Sequence, residues 1–125
     1  MRIDRIDHLV LTVADLDRSV GFYTRVLGLT AETFGEDRTA LVFGRQKINL
    51  HVAGAEFLPR AAAPGPGTAD FCLITETPLP EVQDQLAAAG VPIEVGPVIK
   101  QGALGPMTSV YLRDPDQNLV EIAVY

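Results

Sequence analysis

Residues 6–28 read IDHLVLTVADLDRSVGFYTRVLG, and this stretch decides the fold. Over 6–13, Leu9, Leu11 and Val13 alternate with His8, Val10 and Thr12, the period-two signature of a strand with one buried face. Asp15 then stands where an N-cap belongs, and Leu16, Val20, Tyr23 and Leu27 recur at helical spacing. Gly28 is placed to stop that helix. Three short strands follow at 29–34, 39–43 and 47–52, parted by turns that contain Gly35-Glu36-Asp37 and Gly44-Arg45. The order is β, α, β, β, β.

That order repeats. ADFCLIT at 69–75 reads as a strand, and Thr77 is placed to cap a helix whose first turn holds Pro78 and Pro80. Leu79, Val82, Leu86 and Ala89 form its apolar stripe, and Gly90 ends it. Strands at 93–98, 109–113 and 119–124 complete the second unit. Residues 54–68, rich in Ala, Pro and Gly, read as a linker between a first module at 1–53 and a second at 69–125. The expectation is an α+β domain of two βαβββ modules forming a curved mixed or antiparallel sheet around a cleft. The alternative is a generic α+β domain with two helices on one antiparallel sheet.

Bulk properties narrow the function. A chain of 125 residues, 47% apolar and 21% charged, suits one globular domain with a sizeable core. The net charge of −6 argues against nucleic acid and against an anionic membrane surface, since both call for basic patches. The single cysteine, Cys72, makes no internal disulfide, which suits a reducing cytoplasm. Acids within MRIDRIDHLV speak against an export signal, and no apolar stretch is long enough to span a bilayer.

Three polar side chains interrupt apolar strands on the parity away from the main stripe. These are His8 in the first strand, His51 in KINLHV beside Asn49, and Glu121 in NLVEIAV. A carboxylate inside an apolar strand needs a cation, a donor or water. Two imidazoles and a carboxylate on a shared face would make a 2-His-1-carboxylate metal site with positions left free for substrate. An isolated strand histidine, by contrast, is ordinarily a hydrogen-bonded or partly exposed side chain. Asp70 fits three roles equally: a fourth ligand, a base beside the metal, or a strand-edge aspartate in water. Cys72 suits a small apolar position better than a nucleophile, because no basic neighbour would activate it. Tyr111 and Arg113 face either a pocket or solvent. Gly102-Ala103-Leu104-Gly105-Pro106 opens no helix, so it reads as a connection or a lid, not a phosphate loop.

IDHLVLTVADLDRSVGFYTRVLGL, FGRQKINLH and VYLRDPDQNLVEIAVY together resemble the vicinal oxygen chelate superfamily, which includes glyoxalase I, bleomycin- and fosfomycin-resistance proteins and extradiol dioxygenases. The nearest in kind are small glyoxalase-domain or virulence-associated proteins. The resemblance spans essentially the whole chain. It implies metal ligands on strands 1, 4, 5 and 8, which here are His8, His51, Asp70 and Glu121. It also implies a divalent ion (Fe, Mn, Ni, Zn or Co) and a homodimer. Glyoxalase I carries its carboxylate on strand 4 and its histidine on strand 5, whereas this chain has the two types exchanged. Gln117 stands where the family's turn commonly has glycine.

The implied function is a metal-dependent lyase or isomerase acting on a small molecule with two adjacent oxygens. The metal would polarise both oxygens, Glu121 or Asp70 would move the proton, and Val10, Thr12 and Cys72 would line the pocket. An Fe(II) dioxygenase is the first alternative, although the chain has no third histidine. A non-catalytic protein that sequesters a drug or metabolite is the second.

Overall fold

The computed structural model describes residues 1–125. Its elements run β1 (His8–Val13), α1 (Leu16–Arg25), β2 (Thr30–Phe34), β3 (Arg38–Phe43) and β4 (Gln46–Val52), then β5 (Asp70–Ile74), α2 (Leu79–Ala88), β6 (Val95–Gly102), β7 (Gly105–Arg113) and β8 (Leu119–Val124). They form two compact units, Met1–Thr68 and Ala69–Tyr125. The strands make two separate four-stranded mixed sheets, ordered β1-β4-β3-β2 and β5-β8-β7-β6. In each unit the first strand lies parallel to the last, and the other pairs are antiparallel.

In the first unit Asp15 caps α1, its Oδ1 accepting from the Arg18 amide at 2.9 Å. The helix ends at Val26, and Gly28 at φ +73° turns the chain into β2. Tyr23 on α1 is buried, as are Leu11 and Val13 of β1, Leu41 of β3 and Ile48 and Leu50 of β4. Burying each such side chain contributes roughly 1.5–3 kcal/mol, so this alternating stripe holds the unit together.

The second unit buries Leu79, Val82 and Leu86 of α2 with Val110, Leu112, Val120 and Ile122 of the sheet. Thr77 does not cap α2. Pro78 takes the N-cap position with no side-chain hydrogen bond, and the Thr77 amide instead donates to Thr75 Oγ1 at 3.1 Å. A proline at the cap leaves a hydroxyl one residue too early to reach the first helical amides. Residues 102–106 are a connection. β6 and β7 continue through them to a two-residue hairpin at Ala103 and Leu104, with Gly102 paired to Gly105 and Gln101 to Pro106. Proline is tolerated there because it sits at the start of its strand.

The segment DPDQN is structural. Asp114 Oδ1 accepts from the amides of Asp116 and Asn118, and Asn118 Nδ2 donates to Asp114 Oδ2 at 2.7 Å. Asn118 Oδ1 in turn accepts from the Ala69 amide at 2.9 Å, tying this buried turn to the start of β5. Gln117 takes the left-handed backbone at φ +68° that a glycine would adopt more readily. No helix is long and apolar enough to cross a membrane.

Candidate functional site

The face of the first sheet that bears polar residues is read from its register. Parallel pairing aligns His8 with Lys47, Val10 with Asn49 and Thr12 with His51. Antiparallel pairing adds Val42 and Ala40 from β3 beside Lys47 and Asn49. His8 and His51 therefore share a face but not a row. Four residues separate them along the strands, about 13 Å at the usual rise, whereas Asn49 lies only two residues on, about 7 Å.

His8 is exposed, and its Nδ1 lies 2.7 Å from Asp7 Oδ1. That hydrogen bond holds the Asp7 carboxyl below the usual carboxylate range, against a smaller opposing effect of desolvation. It also leaves Nε2 as the ring nitrogen free to bind, the arrangement in which a carboxylate orients a metal-ligating imidazole. His51 is buried and meets the Phe57 ring edge-on with centroids 5.4 Å apart, and the Arg38 guanidinium carbon lies 4.6 Å from the centroid of the same ring. Thr12 is buried in its row, and Val10 is exposed.

The second sheet presents acids and weak donors instead. Asp70, Leu119 and Arg113 form one row, Cys72, Glu121 and Tyr111 the next, and Ile74, Ala123 and Ser109 the third. Glu121 Oε1 is buried without a hydrogen-bond partner. Tyr111 on β7 and Cys72 on β5 are its neighbours on either side in the same row. Partial burial, with the charge and hydrogen bond of Glu121, pushes the Cys72 thiol up to about 11, so it is no thiolate nucleophile at neutral pH. Desolvation first, then Glu121, raises Tyr111 in the same direction. Asp70 is exposed at the head of β5. Arg113 is engaged elsewhere, with its Nε 2.6 Å from Glu94 Oε2 and its Nη1 3.1 Å from the Gln117 carbonyl.

Asn49 has the parity of His51 but was not among the ligand candidates read from sequence. Its Oδ1, like Glu121 Oε1, is a buried oxygen with no partner. The two are equivalent by register. In the first unit Asn49 lies two residues past the partner of His8, and in the second Glu121 lies two residues past the partner of Asp70. The signal in the sequence was INLH, where Asn49 and His51 share a face and only the pairing offset ranks them.

No three His, Cys, Asp or Glu side chains gather into one metal-binding group. Taken singly, the imidazole of His8 and the unpartnered oxygen of Glu121 are donors of the kind a divalent cation takes.

Residues 5–122 match the model of the Glyoxalase/Bleomycin resistance protein/Dioxygenase superfamily. Virulence protein STM3117 of Salmonella typhimurium is 54% identical over all of this chain and 87% of its own length. Its crystal structure superposes with a TM-score of 0.99, covering 100% of this chain and 99% of that one. Glyoxalase domain-containing protein RDO1 of Mycosarcoma maydis is 45% identical over 100% of this chain and 70% of its own length. The structure of a lactoylglutathione lyase from Agrobacterium tumefaciens matches at 25% identity with a TM-score of 0.75, covering 98% of this chain and 95% of that one.

Proposed function

Because the chain belongs to the glyoxalase/bleomycin resistance protein/dioxygenase superfamily, we propose that it is a metal-dependent enzyme of lyase or isomerase type acting on a small molecule with two adjacent oxygens. The observation that carries this reading is the pair of buried, unpartnered oxygens at equivalent register positions, Asn49 Oδ1 and Glu121 Oε1. A buried polar atom left without a partner is costly, and a cation or substrate donor removes that cost. The lactoylglutathione lyase of the same fold supports the reaction class.

In this reading His8 and Asn49 are the metal donors of the first unit and Glu121 that of the second, where Asp70 is either a further ligand or a base. His51, a row beyond Asn49 and packed on Phe57, is then a substrate contact of the first unit with Val10 and Thr12, and Cys72 is one of the second. When bound, the divalent ion supplies Lewis-acid polarisation of the substrate oxygens. Among Fe, Mn, Ni, Zn and Co, a set richer in oxygen than nitrogen favours Mn(II) or Fe(II). Glu121 or Asp70 accepts the substrate proton, a carboxylate acting as a base once placed beside a C–H bond.

Metal analysis of the purified protein tests this. Wild type is expected to carry a divalent ion, and Glu121→Ala and His8→Ala to lose it. Substoichiometric metal that no substitution lowers overturns the proposal.

A second reading is a binding protein without catalysis, favoured by the lack of any group of three ligands. It predicts ligand-induced thermal stabilisation that persists in EDTA.

We also place the protein in the cytoplasm, supported by its single cysteine, and as a homodimer. Ile99 and Leu104 of the second unit are 78% and 87% exposed, apolar surface of the kind a partner subunit covers. Sedimentation showing monomer alone at micromolar concentration refutes the dimer.

A further inference from the structure

The face of the first sheet that bears Asn49 and His51 also bears two cations, Arg38 on β3 and Lys47 on β4. Arg38 pairs with Phe34 on β2, and the β3–β4 register, with Thr39 opposite Leu50, sets Arg38 level with His51. The chain's ion pairs are Arg5–Asp4, His8–Asp7 and Arg113–Glu94, so neither Arg38 nor Lys47 is in one. Acids are not lacking, since the chain has 16 against 10 lysines and arginines. Glu32 even lies on this face, opposite Ala40 in the row between, and pairs with neither cation.

Each cation rests on an aromatic ring instead. The Arg38 guanidinium carbon is 4.6 Å from the Phe57 centroid, and Lys47 Nζ is 4.0 Å from that of Phe34. Lys47 starts two rows from Arg38, about 13 Å along the strands at the usual rise. Its ammonium nonetheless reaches the ring of Arg38's own cross-strand partner, while the ring under Arg38 also touches His51. Both positive charges thus gather at one end of the face. Stacking engages the flat side of a guanidinium and leaves the N–H fork at its edge free to take two oxygens of one anion. Arg113 gives the contrast: its fork is filled, with Nε and Nη2 on the two oxygens of Glu94.

We propose that Arg38, with Lys47, forms an anion subsite on this face, so that the substrate carries a carboxylate or phosphoryl group besides its two adjacent oxygens. This rests on the reading of His51, Val10 and Thr12 as substrate contacts. Arg38 supplies two-point recognition, Phe57 fixes the plane of its fork, and Lys47 adds a second positive charge. The competing role for both cations is to cover the rings of Phe34 and Phe57, which needs a long side chain but no fork.

The test titrates the metal-free full-length protein calorimetrically with inorganic phosphate and, separately, with lactate, at constant ionic strength. Saturable one-site binding is expected, and the tighter of the two anions tells a phosphoryl group from a carboxylate. Arg38→Gln is expected to weaken binding about 10-fold or more, as loss of a charge-assisted hydrogen bond does. Arg38→Lys keeps the charge but not the fork, and should weaken binding nearly as much. Lys47→Met should do so by a smaller factor. Arg60→Gln, which removes an exposed cation beyond β4, should bind as wild type does. Binding of neither anion overturns the proposal, as does wild-type affinity in Arg38→Lys or an equal loss in Arg60→Gln. If Arg38→Gln fails to fold, Arg38→Lys decides alone. A protein that binds anion through Arg38 but takes up no divalent metal keeps the subsite and overturns only the metal reading.

Discussion

The two units share one architecture and carry different polar residues on it. Each has a strand, a helix and a three-stranded meander, with the first strand returned parallel to the last. At matching positions the first unit offers His8 and Asn49 and the second offers Asp70 and Glu121. Nitrogen and neutral oxygen donors lie on one sheet and carboxylates on the other. A repeated fold thus fixes where a functional side chain sits, and leaves its chemistry free to differ between copies.

The sharpest way to break this comparison is to set Asn49 against His51. If register equivalence governs function, Asn49→Ala lowers metal affinity about 10-fold or more, as loss of a ligand or its support typically does. His51→Ala then leaves metal content near wild type and raises KM instead. Equilibrium dialysis of both variants decides it, and a larger metal loss in His51→Ala would break the equivalence.

A smaller effect is expected from the turn that leads into β8. Asn118→Ala removes a buried amide that satisfies both Asp114 and the Ala69 amide, and should cost about 1–3 kcal/mol in denaturant unfolding. The helices give the next contrast. Asp15→Ala deletes a real cap and should cost about 1 kcal/mol, whereas Thr77→Ala deletes none and should be close to neutral. The smallest change is a gain. Gln117→Gly relieves a left-handed backbone and should stabilise by about 0.5–1 kcal/mol in the same measurement.

Period-two alternation marked the faces of β1, β4 and β8 from sequence, because side-chain parity is a property of each strand alone. Row is different. Asn49 and His51 have the same parity, and which of them lies nearer His8 depends on how β4 pairs with β1, a contact between distant residues that no local pattern encodes. The same distinction explains the caps and turns. Asp15 was legible because its cap is local, while Thr77 lost its role to the neighbouring Pro78, and Gly102 to Pro106 read as a loop although pairing carries both strands through it.

The parallel pairing has a consequence for the order of assembly. The antiparallel meanders join neighbouring strands through short turns, but β1 must reach from residue 8 to residue 47, and β5 from residue 70 to residue 119. Closing such loops costs more chain entropy than closing a hairpin, so these edges form late and open early. His8 and Asp70 each ride on that late edge strand. A ligand that bridges either strand to its parallel neighbour would therefore act as a latch on the slowest-closing seam of its unit, making occupancy and local opening rate two readings of one event.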